Sequence, residues 1–139
     1  MAWPVWVAAL WWGSLTTLGF GVVPLLFATL PTPALAGNMA ARLFEVQTGV
    51  SVVLGAALLV ASRAPRINGL AGRAHGAAVF ILGGIVMALL AQFAVTPHIV
   101  ARDNLRLWHT LGTVLYVLQW ACAAATFRCM VRPERPVQS

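Results

Sequence analysis

Charged residues divide this chain into four long uncharged stretches. These stretches cover residues 1–41, 46–62, 74–101 and 107–127. A helix that crosses the ~30 Å hydrocarbon core of a bilayer needs about 20 predominantly apolar residues. We therefore predict an all-α integral membrane protein, folded as a bundle of four transmembrane helices. The predicted helices lie near residues 4–30, 40–62, 74–96 and 107–129.

Composition excludes the other protein classes that 139 residues could form. Only 9% of the residues are charged and 60% are hydrophobic, with a mean hydropathy of +0.86. A soluble domain carries about 25% charged residues, so a soluble enzyme, a disordered chain and a disulfide scaffold are excluded. A transmembrane β-strand would alternate polar and apolar residues over about ten positions, and residues 52–60 show no such alternation.

Helix-breaking residues predict where the helices are interrupted. The loop between the first two helices is predicted from Pro31, Pro33, Gly37 and Asn38. Pro24 predicts a kink in the first helix, because proline removes a backbone hydrogen bond. The first apolar run is too long for a signal peptide and no basic residue precedes it, so we expect it to be retained. Residues 1–139 are predicted to form one membrane domain with a short cytoplasmic tail, 130–139.

Arginine supplies all nine basic residues, and its distribution predicts the orientation of the bundle. Lys and Arg are enriched in cytoplasmic loops. The side that holds both termini and loop 63–73 carries six arginines, whereas the opposite side carries Arg42, Arg102 and Arg106. Both termini are therefore predicted to face the cytoplasm. The composition is typical of a GC-rich bacterial genome, which predicts the bacterial inner membrane, with lipid rather than nucleic acid as the partner of the positive charge.

Small residues and tryptophans predict contacts of the helices. The first small-residue stripe is Gly13, Thr17 and Gly21, and the second is Gln47, Ser51 and Gly55. Small side chains let helices approach closely in a membrane, so we expect both stripes at helix contacts. Tryptophans cluster at the start of the first helix (Trp3, Trp6, Trp11 and Trp12), and Trp108 lies at the start of the fourth. Most of them are expected in the interfacial belts of the bilayer.

Polar residues concentrate in the half of the bundle that is predicted to face outward. On the fourth helix His109, Gly112, Tyr116 and Gln119 recur at spacings of three and four, which places them on one face. Polar groups in lipid are costly and tend to face a cavity or a partner. This face therefore predicts a polar outer pocket among helices 2, 3 and 4. The alternative is a hydrogen-bonded clamp that only holds the bundle together.

The pocket hypothesis names specific residues. The ligand or metal candidates are His109, His98 and Glu45. The supporting polar residues are Arg42, Gln92, Arg102, Tyr116 and Gln119. Arg42 and Glu45 are spaced to pair on a helix, which leaves Glu45 able to accept a hydrogen bond from His109.

Three histidines could bind a metal or haem, and they are His75, His98 and His109. His98 and His109 lie at similar predicted depth, and a tight copper or zinc site needs three or more ligands. Glu45 or Met39 would have to complete such a site. Haem held by two histidines is harder to build, because His75 lies at the opposite side of the membrane.

No catalytic residue set is evident in the sequence. The chain has only three acidic residues and no lysine, and its two cysteines, Cys122 and Cys129, lie about 10 Å apart along one helix, beyond disulfide reach. Two function classes remain open. The first is a non-enzymatic binding or accessory module, acting on a metal or small ligand, or as part of a homo-oligomer or larger membrane complex. The second is a haem-dependent membrane oxidoreductase.

Short motifs along nearly the whole chain resemble a known family. The motifs are Trp11-Trp12-Gly13, Val23-Pro24-Leu25-Leu26-Phe27, Leu43-Phe44, Thr96-Pro97 and the run from Leu107 to Gln119. Together they resemble the family similar to human transmembrane protein 205, whose bacterial members form the domain of unknown function 4149. The resemblance implies a small four-helix membrane protein without established chemistry. The link of eukaryotic relatives to platinum-drug resistance implies handling of metals or drugs.

Overall fold

A computed structural model describes residues 3–63 and 70–132, with side chains described over 3–63 and 75–132. It contains four helices that are long and apolar enough to cross a membrane. The predicted all-α fold with four transmembrane helices is confirmed, and the chain is a multi-pass membrane protein. Arg66, Arg135 and the predicted tail beyond Arg132 lie outside the described residues.

The four crossings are built from α-helices and two π-helical turns. In chain order the described elements are α1 (Trp3–Thr17), a first π turn (Leu18–Val22), α2 (Val23–Thr29), α3 (Pro33–Arg63), α4 (Leu70–Leu90), a second π turn (Ala91–Val95), α5 (Thr96–Val100) and α6 (Leu105–Val131). Short connections join α2 to α3 and α5 to α6. Both lie at one end of the bundle, which we call the short-loop end.

Helix α3 begins at Pro33, so the loop predicted between the first two helices is largely wrong. Pro33 stands at the first helical position, where a missing backbone N–H leaves no hydrogen bond unmade. Oγ1 of Thr32 accepts a hydrogen bond from the backbone N–H of Leu35 (3.2 Å) and caps the helix. Gly37 and Asn38 therefore lie inside a long helix.

Each π turn lies directly ahead of a proline. Pro24 and Pro97 stand in the first turns of α2 and α5, and a proline ring clashes with the carbonyl four residues earlier in a regular α-helix. The wider π turn accommodates this clash without ending the helix. The structure therefore has a π turn where the sequence predicted a kink. The third crossing also continues through Pro97 and His98 to Val100 instead of ending near residue 96.

The hydrophobic core lies in the half of the bundle away from the short-loop end and centres on Trp11. Trp11 is fully buried, as are Leu15, Leu58 and Ile81. Gly84 on α4 makes room for the indole ring, since a Cβ there would lie 2.7 Å from Cη2 of Trp11. Trp11 is therefore not one of the interfacial tryptophans, because glycine at position 84 of α4 admits its ring to the core.

The two small-residue stripes have different surroundings. The second stripe is buried as expected, and a Cβ on Gly55 would lie 2.6 Å from Cδ1 of Ile85. A Cβ on Gly13 or Gly21 would meet nothing within 4 Å. The helix contact expected at the first stripe is therefore wrong for the described chain, because the large side chains of α1 lie on another face and turn that face inward.

Candidate functional site

The four crossings enclose a cavity of about 490 Å³ at the short-loop end. Its walls are the first π turn with α2, the first half of α3, the second π turn with α5, and α6 from His109 to Gln119. Sequence reasoning placed a polar pocket among the second, third and fourth helices. The structure adds a fourth wall from the first helix.

The cavity exists because the helices pair off beyond the π turns. Helix α2 packs against α3, and α5 packs against α6. The space between these two pairs is kept open by small residues in the lining, which are Gly19, Gly37, Ala40, Ala41, Ala91 and Gly112. The two π turns lie at the depth where the pairs begin to separate, and both contribute lining residues.

Hydrogen bonds of α6 form the floor of the cavity. The hydroxyl of Tyr116 donates to the backbone carbonyl of Leu15 (2.7 Å) and joins α6 to α1. Nε2 of Gln119 donates to Oγ of Ser51 (2.9 Å) and joins α6 to α3. Gly19 permits the first contact, because a Cβ there would lie 3.0 Å from the Tyr116 hydroxyl oxygen. The floor therefore ties three crossings together.

The orientation of the Gln47 amide follows from its partner. Oγ of Ser14 donates its one proton to the backbone carbonyl of Trp11 (2.9 Å), so it can only accept from Nε2 of Gln47 (3.0 Å). Oε1 of Gln47 has no hydrogen-bond partner among the described residues. This residue of the lining therefore offers a free acceptor.

Gln92 lies on the second π turn and carries an unpartnered buried atom. Its Oε1 is buried and has no hydrogen-bond partner within the described parts of the chain. Leaving a buried acceptor unpartnered costs about 1–3 kcal/mol. The missing partner is a hydrogen-bond donor, which a molecule in the cavity can supply.

The threonines of the lining also act as acceptors toward the cavity. Their hydroxyl protons go to carbonyls of their own helices: Thr48 to Phe44 (2.9 Å), Thr96 to Ala91 (3.0 Å) and Thr113 to His109 (2.8 Å). A hydroxyl that donates still has lone pairs with which to accept. Together with Oε1 of Gln47 and of Gln92, these hydroxyls give the cavity several free acceptors, beside the unpartnered amide donor Nε2 of Gln92.

The described residues that line the cavity include no Asp, Glu, Lys or Arg. The one imidazole of the lining belongs to His109, near the start of α6, and this side chain is exposed. It makes no side-chain hydrogen bond to another described residue. The interior is therefore neutral, and its polarity comes from amides and hydroxyls.

The structure separates the site residues predicted from the sequence into two groups. Those that line the cavity are Gln92, His109, Tyr116 and Gln119. Those that are exposed and lie outside it are Arg42, Glu45 and Arg102. Arg42 and Glu45 form no ion pair, and Glu45 accepts no hydrogen bond from His109, as far as the chain is described. The proposed pairing around Glu45 is therefore not formed.

His98 lies on α5, just ahead of the connection between α5 and α6. Its Nδ1 lies 3.6 Å from Oδ2 of Asp103, and its ring stacks on the indole of Trp108 with centroids 3.9 Å apart. These contacts hold the connection to the start of α6. His98 is not part of the cavity lining.

A metal site is not assembled from the described side chains. No group of three or more His, Cys, Asp or Glu side chains that could hold a metal ion occurs among them. Copper or zinc needs at least three ligands for tight binding, and the expected companions Glu45 and Met39 are both exposed and absent from the lining. The side chains that the sequence suggested as metal ligands, which are His98, His109, Glu45 and Met39, therefore do not form a common site.

The contribution of the first helix was missed in the sequence, although a pattern marks it. Residues 20–24 and 93–97 both follow the order Phe, small residue, Val, any residue, Pro. Each pattern begins within a π turn that faces the cavity. The repeat marks the two π turns, but of its two phenylalanines only Phe20 lines the cavity.

One known family model matches most of the chain. The family model described as "Domain of unknown function (DUF4149)" matches residues 6–107. The chain belongs to the DUF4149 family. No curated protein and no solved structure matches it, so similarity to human transmembrane protein 205 is not shown.

The DUF4149 match covers three of the four cavity walls. It contains both π turns, α2, α3 and α5, and it ends at residue 107, ahead of the lining face of α6. The unpartnered acceptors of Gln47 and Gln92 thus lie inside the matched region, whereas His109 and Tyr116 lie beyond it.

Proposed function

We propose that this DUF4149 protein is a non-enzymatic binding module of the membrane, which holds a small uncharged molecule in the cavity at the short-loop end. The observation that carries the proposal is the buried, unpartnered Oε1 of Gln92 in the lining of a neutral cavity. Sites for small molecules are mostly apolar clefts of about 300–1,000 Å³ with a few placed polar groups. The cavity of about 490 Å³ has this size and character.

The neutral lining favours an uncharged ligand. A charge that is buried without a partner is far more costly than a neutral polar group, and the described lining offers no carboxylate, guanidinium or ammonium to pair with one. Neutral hydrogen bonds from the amides and hydroxyls would instead orient the bound molecule. The lining also lacks thiols and carboxylates, and its one imidazole, that of His109, has no described side-chain partner that would make it part of a catalytic set, which supports binding over catalysis.

The polar face of α6 supports two roles at different depths. Tyr116 and Gln119 donate to other crossings and act as a structural clamp. His109 makes no such bond and stands free at the rim. The clamp therefore forms the floor of the binding site. Of the two alternatives considered for this face, the structural clamp applies to Tyr116 and Gln119, and the ligand pocket applies to His109.

The orientation of the bundle is part of this proposal. The excess of arginine on the side of the termini supports cytoplasmic termini. In a bacterial inner membrane the short-loop end and its cavity would then face away from the cytoplasm.

Photolabelling with an uncharged eight-carbon alcohol that carries a diazirine tests the proposal. The protein is reconstituted in nanodiscs, labelled over a range of probe concentrations, and digested for mass spectrometry. We expect saturable labelling at cavity residues such as Gln92 and Thr113.

Two glycines of α3 provide a matched pair of variants. A Cβ at either Gly37 or Gly49 would meet nothing within 4 Å, but only Gly37 lines the cavity. Gly37→Phe should abolish the saturable labelling, and Gly49→Phe should leave it intact. Equal labelling of the two variants, or label spread evenly over the lipid-facing surface, would refute the proposal.

A further inference from the structure

The exposed residues of the cavity lining all lie on one side of the cavity. Every described lining residue from α3, the second π turn and α5 is buried or half-buried. The exposed lining residues all come from the first crossing or from α6, and they are Phe20, Phe27, His109, Thr113 and Val117. The opening therefore lies between the first and the last crossings.

Packing of the helices explains this opening. The first crossing and α6 touch at the floor, where the rings of Phe20 and Trp120 meet edge to face with centroids 5.7 Å apart. Above the floor α2 packs against α3 rather than against α6. The first crossing and α6 diverge from the floor, and a gap between α2 and α6 runs toward the short-loop end.

The gap faces the lipid with apolar side chains at Phe20, Phe27 and Val117, and its polar exposed residues are Thr113 and His109. Phe20 is 57% exposed, Phe27 46% and Val117 45%. In a helix that crosses a membrane, exposed apolar side chains of this kind meet acyl chains. A molecule can therefore reach the neutral interior from the bilayer without passing through water.

The interior favours a group that can donate hydrogen bonds as well as accept them. Its free polar atoms include the acceptors Oε1 of Gln47, Oε1 of Gln92 and the threonine lone pairs. Nε2 of Gln92 is a free donor, since it makes no hydrogen bond to another described residue. A hydroxyl group can donate to these acceptors and accept from the Gln92 amide, whereas a carbonyl or ester head group can only accept and leaves the buried acceptors unpartnered. The absence of cationic side chains from the described lining also disfavours a phosphate head group.

We infer that the cavity binds a single-chain membrane lipid with an uncharged, hydroxyl-bearing head group, which enters from the bilayer between α2 and α6. The inference rests on the proposed binding function and specifies its ligand and route. The head group lies among Gln47, Gln92 and Thr113, and the acyl chain leaves through the gap past Phe20 and Val117. A cavity of about 490 Å³ encloses a head group with part of one chain.

Monoolein with a diazirine in its acyl chain is the direct probe of this inference. In nanodiscs it should label the gap residues Phe20, Phe27 and Val117 in a saturable manner. Unlabelled monoolein should compete with it, and methyl oleate, which has the same chain and no hydroxyl, should compete about tenfold more weakly because two neutral hydrogen bonds are lost. Equal competition by the two lipids would overturn the assignment of a hydroxyl head group.

Two valines of α6 test the route. Val117 lines the cavity, and Val114, one turn earlier, is similarly exposed at 49% but does not line it. Val117→Trp should narrow the gap and reduce labelling by the monoolein probe at least tenfold, while Val114→Trp should leave labelling unchanged. Equal labelling of both variants would overturn lateral access.

The eight-carbon alcohol separates failure of this inference from failure of the proposed function. If the alcohol labels the cavity and monoolein does not, the binding function stands and the lipid assignment is wrong. If neither probe labels the cavity, both are wrong. Labelling by both, with loss of only the monoolein signal in Val117→Trp, is the result that we expect.

Discussion

Replacement of Gly19 by alanine tests whether the floor of the cavity depends on close approach of α1 and α6. A Cβ at this position would lie 3.0 Å from both Cζ and the hydroxyl oxygen of Tyr116, and closer still to Cε1. The Tyr116 ring cannot retreat freely, because it meets the ring of Phe44 edge to face with centroids 5.2 Å apart. Gly19→Ala must therefore displace Tyr116 and strain its hydrogen bond to the carbonyl of Leu15.

The expected magnitude follows from these contacts. Overpacking of this kind costs about 1–3 kcal/mol, and the loss of the Tyr116 hydrogen bond adds about 1 kcal/mol. Alanine recovers about 0.5–1 kcal/mol over glycine in a helix. The free energy of unfolding should therefore fall by about 1–3 kcal/mol.

Gly21→Ala is the matched control in the same π turn. Gly21 is exposed, and a Cβ there would meet nothing within 4 Å, so alanine should leave the free energy of unfolding unchanged or raise it by up to about 1 kcal/mol. Equilibrium unfolding in mixed micelles, titrated with dodecyl sulfate and followed by far-UV circular dichroism, measures both variants. Equal stability of Gly19→Ala and Gly21→Ala would refute the proposed contact.

Three further changes have distinct expected outcomes. Gln92→Leu should raise the free energy of unfolding by about 1–3 kcal/mol in the same assay, since it removes an unpartnered buried acceptor. It should also weaken saturable labelling by the eight-carbon alcohol. A lower free energy of unfolding would contradict the assignment of Gln92 as an unpartnered buried group. Ser14→Ala should lower the free energy of unfolding by about 1–3 kcal/mol, because Nε2 of Gln47 loses its acceptor. The control is Thr29→Ala, at an exposed position where the hydroxyl donates to the carbonyl of Leu25 in the same helix. This control should change the free energy of unfolding by less than about 0.5 kcal/mol. A single cysteine at Ser139, in a chain whose native cysteines are replaced by alanine, should react with a membrane-impermeant maleimide only after the cells are opened; reaction in intact cells would reverse the predicted orientation.

The sequence was sufficient to predict the fold class because charge is so sparse. Uncharged stretches of transmembrane length leave few alternatives to helices, and their number determines the number of crossings. The helix boundaries were less accurate where prolines occur. Pro33 begins a helix and Pro97 lies within one, because a first turn or a preceding π turn removes the penalty that proline has inside a regular helix.

The site was predictable only in part, since spacing along a helix shows a shared face but not what that face meets. The spacing of Tyr116 and Gln119 placed both residues on one face, and both line the cavity. Glu45 was linked to His109 by depth alone, and depth does not determine the rotation of a helix. The first crossing was missed because its lining residues are apolar or glycine, so polarity gave no signal there. The paired Phe–small–Val–x–Pro patterns mark the two π turns but not which of their residues line the cavity.

The side-chain amides of the glutamines provide the most direct test of binding in the cavity. The chain has four glutamines: Gln47, Gln92 and Gln119 line the cavity, and Gln138 lies outside the described residues, in the sequence beyond α6. In protein labelled with ¹⁵N-glutamine in nanodiscs, titration with the eight-carbon alcohol should shift the three cavity amide signals along one saturation curve and leave that of Gln138 unchanged. Cavity amide signals that stay fixed, or that drift linearly together with Gln138, would contradict a binding site at the short-loop end.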